Sequence, residues 1–263
     1  MAGCTCTTGM SARWRHLCAV PRIWATSSQL LSSSTCSRLI EACRPAIMKE
    51  AASAAYLEFG VDYRSIPISA CGPRACAAFE ESRVKEHVAT TTGLACCADA
   101  HIMVARGALV SSFSAGGVMN LHHDRHKNDI RVATFMVYLS DVSGGGGETF
   151  FPVANTPADD ALAATLRDEY ARGQRLIARG SEAARECEVR LHQWRGRGDG
   201  DAGPGVGIRP AAGHAIVFDV AGDGGSDGSW HAPCLLREPG DEKWTLTFFQ
   251  SPTQIWSSIL TDG

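Results

Sequence analysis

No run of the roughly 18 to 20 apolar residues that a membrane-spanning helix needs occurs in this chain. An excess of positive charge is also missing: 25 Lys and Arg face 28 Asp and Glu, for a formal net charge of −3. The first absence excludes a spanning helix. The second argues against a protein built mainly to grip nucleic acid or an anionic membrane. Cysteine is plentiful, yet no C-x-x-C pair occurs among the 11 residues, and nine of them lie at irregular spacings between Cys4 and Cys97. A zinc ribbon and a thioredoxin-like motif therefore have no support, and an odd count at such spacings reads as mostly free thiols in a reducing compartment.

Acidic residues are absent from the first forty positions, which carry Arg13, Arg15, Arg22 and Arg38 among Ser-rich runs. Residues 1–36 therefore read as a disordered leader, with the composition either of an organellar transit peptide or of a tail without a role. Pro21 and Arg22 interrupt its apolar patch, which fits a secretory signal poorly. An organelle or the cytosol is the expected compartment.

What is present suits a folded protein: 263 residues, 44% hydrophobic and 20% charged, enough for a sizeable core. Residues 37–106 read as a support region of helix and short strands. Leu39, Ile40, Cys43, Ala46, Ile47 and Ala51 recur at helical spacing, with Pro45 predicting a kink or break. A second helix is expected near Ala75–Val84. Beyond Gly107 the character changes. Ala108–Phe113, Ile130–Leu139, His214–Val220, Ser229–Leu236 and Lys243–Gln250 are β-branched and aromatic runs separated by turn residues. Strands without intervening helices imply an antiparallel sandwich or barrel over 107–256. Residues 157–204 interrupt it as a helical insertion, broken at Gly173 and Gly180 and ending in a Gly-rich stretch.

His122-His123-Asp124 carries the chemistry. In an extended chain residues i and i+2 share a face, so His122 and Asp124 reach one ion while His123 points away. A third ligand has to come from downstream. His192 reads as a surface residue of the insertion, His214 as a strand residue, and His231 opens a strand after a turn. Two His and one carboxylate on one face of an ion form the triad of non-haem Fe(II) oxygenases, which leaves sites open for a bidentate 2-oxo acid and oxygen. Such an acid has a second carboxylate that needs a cation. Lys243 would approach the same barrel mouth through an antiparallel hairpin from His231, and Arg237, in a turn, is the competing cation.

The ordered strings His122-His123-Asp124, Arg131-Val132-Ala133-Thr134, Tyr138-Leu139-Ser140-Asp141-Val142, Gly146-Gly147-Glu148-Thr149, Phe151-Pro152 and Arg209-Pro210-Ala211-Ala212-Gly213, then His231 and Lys243-Trp244, resemble the prolyl 4-hydroxylase family. The resemblance spans about Gly107 to Pro252, apart from the insertion. It implies a double-stranded β-helix (jelly-roll, cupin-like) that binds Fe(II) and 2-oxoglutarate and uses ascorbate to stay active. Carried over by position, it implies iron ligation by His122, Asp124 and His231, a grip on the distal carboxylate of 2-oxoglutarate by Lys243, and a cosubstrate contact for Tyr138. The implied reaction hydroxylates a C–H bond, with peptidyl proline in a peptide or protein as substrate and succinate and CO2 as products. Arg131 reads as a supporting ion-pair residue, and Gly146–Thr149 with Phe151-Pro152 as structural, a tight turn and strand start. Met119 and Phe113 stand where many members carry a Tyr, and the turn between His231 and Lys243 is about two residues longer. Those departures leave three alternatives: another side chain or small molecule as substrate, a non-catalytic metal-binding barrel, or an interaction protein working through its insertion.

Overall fold

The computed structural model describes residues 14–19, 21–50, 63–84, 86, 108–114, 120–125, 131–197, 203–220 and 229–250. Met119, Ala51, the C-x-C pair and Cys96–Cys97 lie outside them. None of the seven described cysteines forms a disulfide with another described residue.

Two antiparallel sheets form the jelly roll. The larger has seven strands in the order β1 (Trp14–Ala19), β2 (Arg22–Thr26), β8 (Ala215–Asp219), β5 (Ala133–Tyr138), β10 (Glu242–Gln250), β4 (Leu109–Ser114) and β3 (Tyr63–Pro67). The smaller has β7 (Val206–Ile208), β6 (Thr149–Phe151) and β9 (Ala232–Pro233). Residues alternate faces along each strand. On β10, Trp244, Leu246 and Phe248 enter the main core, while Lys243, Thr245, Thr247 and Phe249 line a cavity on the other side. Strand β5 repeats the division, with Phe135 and Val137 in that core and Thr134 and Met136 on the cavity.

Helices α1 (Ser33–Ile47) and α2 (Pro73–Glu81) cover the core side. Ser32 caps α1 by accepting from the Thr35 N–H at 3.1 Å, and Cys36, Leu39, Cys43 and Ile47 make its buried stripe. Helix α1 runs through Pro45 instead of breaking there. That proline falls in the last turn and forfeits one i→i−4 hydrogen bond, while the buried Cys43 and Ile47 on either side of it keep the chain helical to Ile47.

Two expectations need correction. Within the supposed leader 1–36, residues 14–26 form the β1–β2 hairpin that pairs with β8, and α1 begins at Ser33. Burial explains the hairpin: Cys18, Ile23 and Ala25 pack with Phe151, Ile216 and Phe218. The connection is completed by Leu30, whose N–H donates to the Gly213 carbonyl at 2.7 Å. Secondly, His231 and Lys243 do not belong to one hairpin. His231 adjoins β9 of the small sheet, while Lys243 lies on β10 of the large one. The chain crosses between sheets at Glu238–Gly240, where Gly240 takes a φ of 92°.

The insertion leaves β6 and returns at β7. It holds α3 (Ala161–Ala171) and α4 (Glu182–Gly196), separated by residues that include Gly173 and Gly180 with φ of 85° and 77°. Strand β7 begins at Val206, just past the expected end of the insertion at 204. The insertion has its own core, in which Leu162, Leu166, Ile177 and Cys187 pack on Leu121, Phe150 and Trp230. Ion pairs fasten it: buried Arg190 to Asp160 at 2.9 Å, and Arg195 to the buried Glu148 carboxylate at 2.6 Å.

Candidate active site

Single bridges extend the small sheet beyond β9. His231 pairs with His122, and His122 with Leu176 of the insertion. The bridge sets His122 beside His231, with ring centroids 4.1 Å apart. Asp124 follows two residues later on the same face, as the i, i+2 argument requires. Its Oδ1 lies 3.5 Å from His122 Nε2 and its Oδ2 lies 3.8 Å from His231 Nε2.

Each candidate ligand is held by a second group. His122 Nδ1 is 2.9 Å from the Asn120 carbonyl and His231 Nδ1 is 2.9 Å from the Ser229 carbonyl. A carbonyl can only accept, so Nδ1 bears the proton on both rings and Nε2 presents its lone pair inward. Thr134 Oγ1 donates to Asp124 Oδ2 at 2.7 Å, and Arg131 donates to the Asp124 carbonyl at 2.8 Å. Arg131 thus supports the ligand through its backbone.

Burial pushes His231 down to about 3, with the neighbouring His122 ring adding to the effect, so this imidazole is neutral near pH 7. Burial alone would raise the Asp124 carboxyl. The two imidazoles and the Thr134 hydroxyl outweigh it and hold the group below the usual carboxylate range. The three donor atoms lie within 4.8 Å of one another. Two imidazole nitrogens and a carboxylate, preset in this arrangement, fit a first-row divalent ion such as Fe(II).

His123 faces the insertion. Its Nε2 is 2.7 Å from Ser229 Oγ, its ring packs 4.7 Å from that of Tyr170, and burial pushes it down to about 4. His192 is exposed on α4, and His214 precedes β8 with Nδ1 3.4 Å from Thr26 Oγ1. Among the described downstream histidines, only His231 joins the cluster.

A cavity of about 250 Å³ runs from the His–Asp–His cluster to Lys243. Lys243 is 2% exposed. Its Nζ donates to Thr149 Oγ1 at 3.2 Å and sits over the rings of Tyr138 and Phe113 at 5.4 and 5.5 Å. Burial pushes it down to about 8, so the ammonium keeps its proton at neutral pH at a cost. No carboxylate among the described residues is bonded to it. A buried cation with one neutral hydroxyl partner fits an anionic ligand.

Tyr138 stands behind this pair and does not border the cavity. Burial holds its phenol protonated, and the hydroxyl donates to Thr149 Oγ1 at 2.9 Å. Thr149, whose surroundings looked purely structural in the sequence, therefore joins Tyr138 to Lys243. The preceding glycines do make the expected tight turn: Gly145, Gly146 and Gly147 all have positive φ, and a side chain on Gly146 would strike the Leu235 carbonyl. Arg237, the competing cation, lies in the loop outside the cavity lining. Sequence reasoning missed Tyr63, which stacks 4.9 Å from Phe113 with its hydroxyl 3.2 Å from Ser111 Oγ. It puts a phenol on the cavity wall next to the position where Phe113 lacks one.

Compared by sequence, the chain matches no protein-family model and no curated protein. In structure it is similar to a viral collagen prolyl hydroxylase from Paramecium bursaria Chlorella virus 1 in complex with 2-oxoglutarate. That match has 17% identity, 90% of this chain covered, 99% of the other and a TM-score of 0.51. It is also similar to the epimerase SnoN in complex with Fe3+, alpha-ketoglutarate and nogalamycin RO (13% identity, 88% and 78% covered, TM-score 0.52). A third is HygX from Streptomyces hygroscopicus with nickel, 2-oxoglutarate and hygromycin B (12% identity, 90% and 85% covered, TM-score 0.51). At such identities the likeness is one of fold, and the fold is the jelly roll of the prolyl-hydroxylase-like 2-oxoglutarate oxygenases.

Proposed function

We propose that this chain is an Fe(II)- and 2-oxoglutarate-dependent dioxygenase that hydroxylates a C–H bond, with peptidyl proline as its substrate. The observation that carries the reading is the pairing, within one small cavity, of a His–Asp–His cluster and a buried lysine with no carboxylate bonded to it among the described residues. His122, Asp124 and His231 would hold the iron, and Lys243 with Thr149 would hold the distal carboxylate of 2-oxoglutarate. Tyr138 acts through Thr149 as a positioning residue. Iron and 2-oxoglutarate together supply the oxidation, in which one oxygen atom of O2 goes to the substrate C–H and the other to succinate as CO2 leaves.

The chain's part is to bind, orient and exclude water. The carbonyls of Asn120 and Ser229 fix the tautomers of both imidazoles, and Thr134 turns the carboxylate towards them. Phe113, Phe218 and Phe249 line the walls and keep the space apolar between its charged ends. At about 250 Å³ the cavity is below the roughly 300–1,000 Å³ usual for drug-sized ligands. A five-carbon diacid and the reacting end of a substrate fit it; the rest of the substrate lies on the rim.

The substrate proposal is supported by the motif resemblance and by likeness in fold to a prolyl hydroxylase. Equal likeness to SnoN and HygX favours a small molecule as the second reading. Aerobic incubation with Fe(II), ascorbate, 2-oxoglutarate and short proline peptides tests both. Succinate formed in step with a 16-dalton gain on proline is the expected result. Succinate without peptide oxidation would favour the small molecule, and no succinate at all would leave the non-catalytic barrel as the better reading.

A further inference from the structure

The insertion contributes to the cavity through a short segment between α3 and α4. Two backbone hydrogen bonds fasten that segment to the strand of the candidate ligand His122: His123 N–H donates to the Arg175 carbonyl at 2.9 Å, and Ile177 N–H donates to the Leu121 carbonyl at 2.9 Å. With the His122–Leu176 bridge between them, Arg175 and Leu176 are in register with the cluster, and both border the cavity.

Arg175 differs from the other arginines of the insertion. Arg172, Arg190 and Arg195 pair with carboxylates, and Arg185 and Arg197 bond backbone carbonyls. Arg167 and Arg179 have partners as well. The half-buried Arg175 guanidinium has neither a carboxylate nor a carbonyl partner among the described residues. It is not needed to hold the insertion together, yet it is held at the mouth of a reactive cavity.

Charge gives it a purpose. Among the described residues, the lining carries three cations, Lys243, Arg131 and Arg175, against the single carboxylate of Asp124. A divalent iron and a dianionic 2-oxoglutarate cancel one another, so the loaded cavity stays positive. Lys243 is matched by the distal carboxylate, and Arg131 is occupied on the Asp124 carbonyl and over the Phe249 ring at 4.1 Å. Arg175 is the cation left over, and it faces the space where the substrate must lie.

We infer that Arg175 is a specificity-determining residue, and that the substrate carries a carboxylate close to the C–H bond that is oxidised. The inference deepens the proposed function and rests on it. A planar guanidinium on a backbone-anchored segment takes a carboxylate through two parallel hydrogen bonds, which fixes orientation as well as affinity. The carboxylate can be an acidic residue beside the reacting position of a peptide, or part of a small acid; the chemistry is the same.

The test uses the full chain, loaded anaerobically with Fe(II) and 2-oxoglutarate, and follows the visible charge-transfer band of the chelate. Two pools of proline-centred hexapeptides are titrated in, one with Asp and Glu at the flanking positions, the other with Asn and Gln. N-acetylglutamate and N-acetylglutamine are run beside them. The acidic pool should perturb the band at roughly tenfold lower concentration than the amide pool. Arg175→Gln should erase that gap, and Arg175→Lys should keep part of it, with the band itself intact in both variants. A response to N-acetylglutamate at the same concentrations assigns the carboxylate to a small acid, and a response to the peptides alone assigns it to a peptide; both support the inference. Equal responses to the acids and their amide counterparts, no response to the acidic pool or to N-acetylglutamate, or a gap that survives Arg175→Gln overturns it. Loss of the band in Arg175→Gln also overturns it, because the arginine would then serve the cosubstrate. Absence of the band in the parent is a different failure, that of the proposed function itself.

Discussion

The floor and the rim of the cavity obtain their polar groups in different ways. On the floor, each polar side chain has its partner: the Asn120 and Ser229 carbonyls hold the imidazoles, Thr134 holds Asp124, and Thr149 links Tyr138 to Lys243. Those residues come from strands of the jelly roll or from segments bridged to them, so sheet register sets their positions. On the rim, Arg175 and Leu176 come from the insertion, aligned by two backbone hydrogen bonds, and the guanidinium has no partner among the described residues. The floor is arranged to hold a metal and an anion in one geometry. The rim is arranged to meet something that arrives.

If that contrast is right, damage to the floor should abolish binding and damage to the insertion should not. The largest effect is expected from Lys243→Ala. Removing one partner of a buried charge pair costs about 2–5 kcal/mol, so affinity for 2-oxoglutarate should fall by roughly 30- to several thousand-fold in an anaerobic titration. Unchanged affinity would move the cosubstrate elsewhere.

Arg195→Leu attacks the anchor of the insertion. It leaves the Glu148 carboxylate buried without its partner, which should lower stability by about 3–5 kcal/mol in denaturant unfolding. At temperatures where the variant is folded, affinity for 2-oxoglutarate should be unchanged. A loss of affinity there would show that floor and insertion are one unit.

Thr134→Val is a smaller change on the floor. It deletes the 2.7 Å hydrogen bond to Asp124 and should weaken iron binding by roughly 10–100-fold, measured by metal competition, with the fold intact.

The last prediction concerns pH. The free Lys243 ammonium titrates near 8, below its ordinary value, because burial penalises the charge. Only the protonated form holds the carboxylate, and binding raises its pKa. Affinity for 2-oxoglutarate should therefore be flat below about pH 8 and fall by about tenfold per unit above it. The sign for stability is opposite to that of a salt-bridged lysine. The buried charge destabilises the unliganded fold at neutral pH, and the penalty fades as the lysine is deprotonated between about 8 and its unfolded value. Lys243→Met should accordingly raise the unliganded protein's melting temperature at pH 7 and have little effect at pH 10. An affinity for 2-oxoglutarate independent of pH up to 10 would mean the lysine is not the anchor.

The parts of this molecule that can be read from sequence are those with a short period or a fixed chemistry. His122 and Asp124 follow from alternation along an extended chain, and the strands around Phe135, Val217 and Leu246 from their β-branched and aromatic runs. The two broken helices of the insertion follow from Leu162 and Leu166 and from the glycines at 173 and 180. Contributions that depend on distant pairing were hidden. The hairpin at 14–26 is short and set among Arg and Ser, and it makes sense only beside β8. Thr149 looked like part of a turn because its hydroxyl acquires partners only when β5, β6 and β10 meet. Arg175 was one arginine among eight in a charged insertion until the His122–Leu176 bridge gave it a place. The hairpin expected from His231 to Lys243 failed for the same reason, since a jelly roll sends neighbouring segments to opposite sheets.

The central claim, that iron and 2-oxoglutarate share this cavity, is tested most directly by adding Fe(II) and 2-oxoglutarate to the purified protein without oxygen and recording the visible spectrum. The account predicts a charge-transfer band in the parent that is lost in Asp124→Ala and weakened in Lys243→Ala. No band with iron available, or a band unaffected by Asp124→Ala, would contradict it.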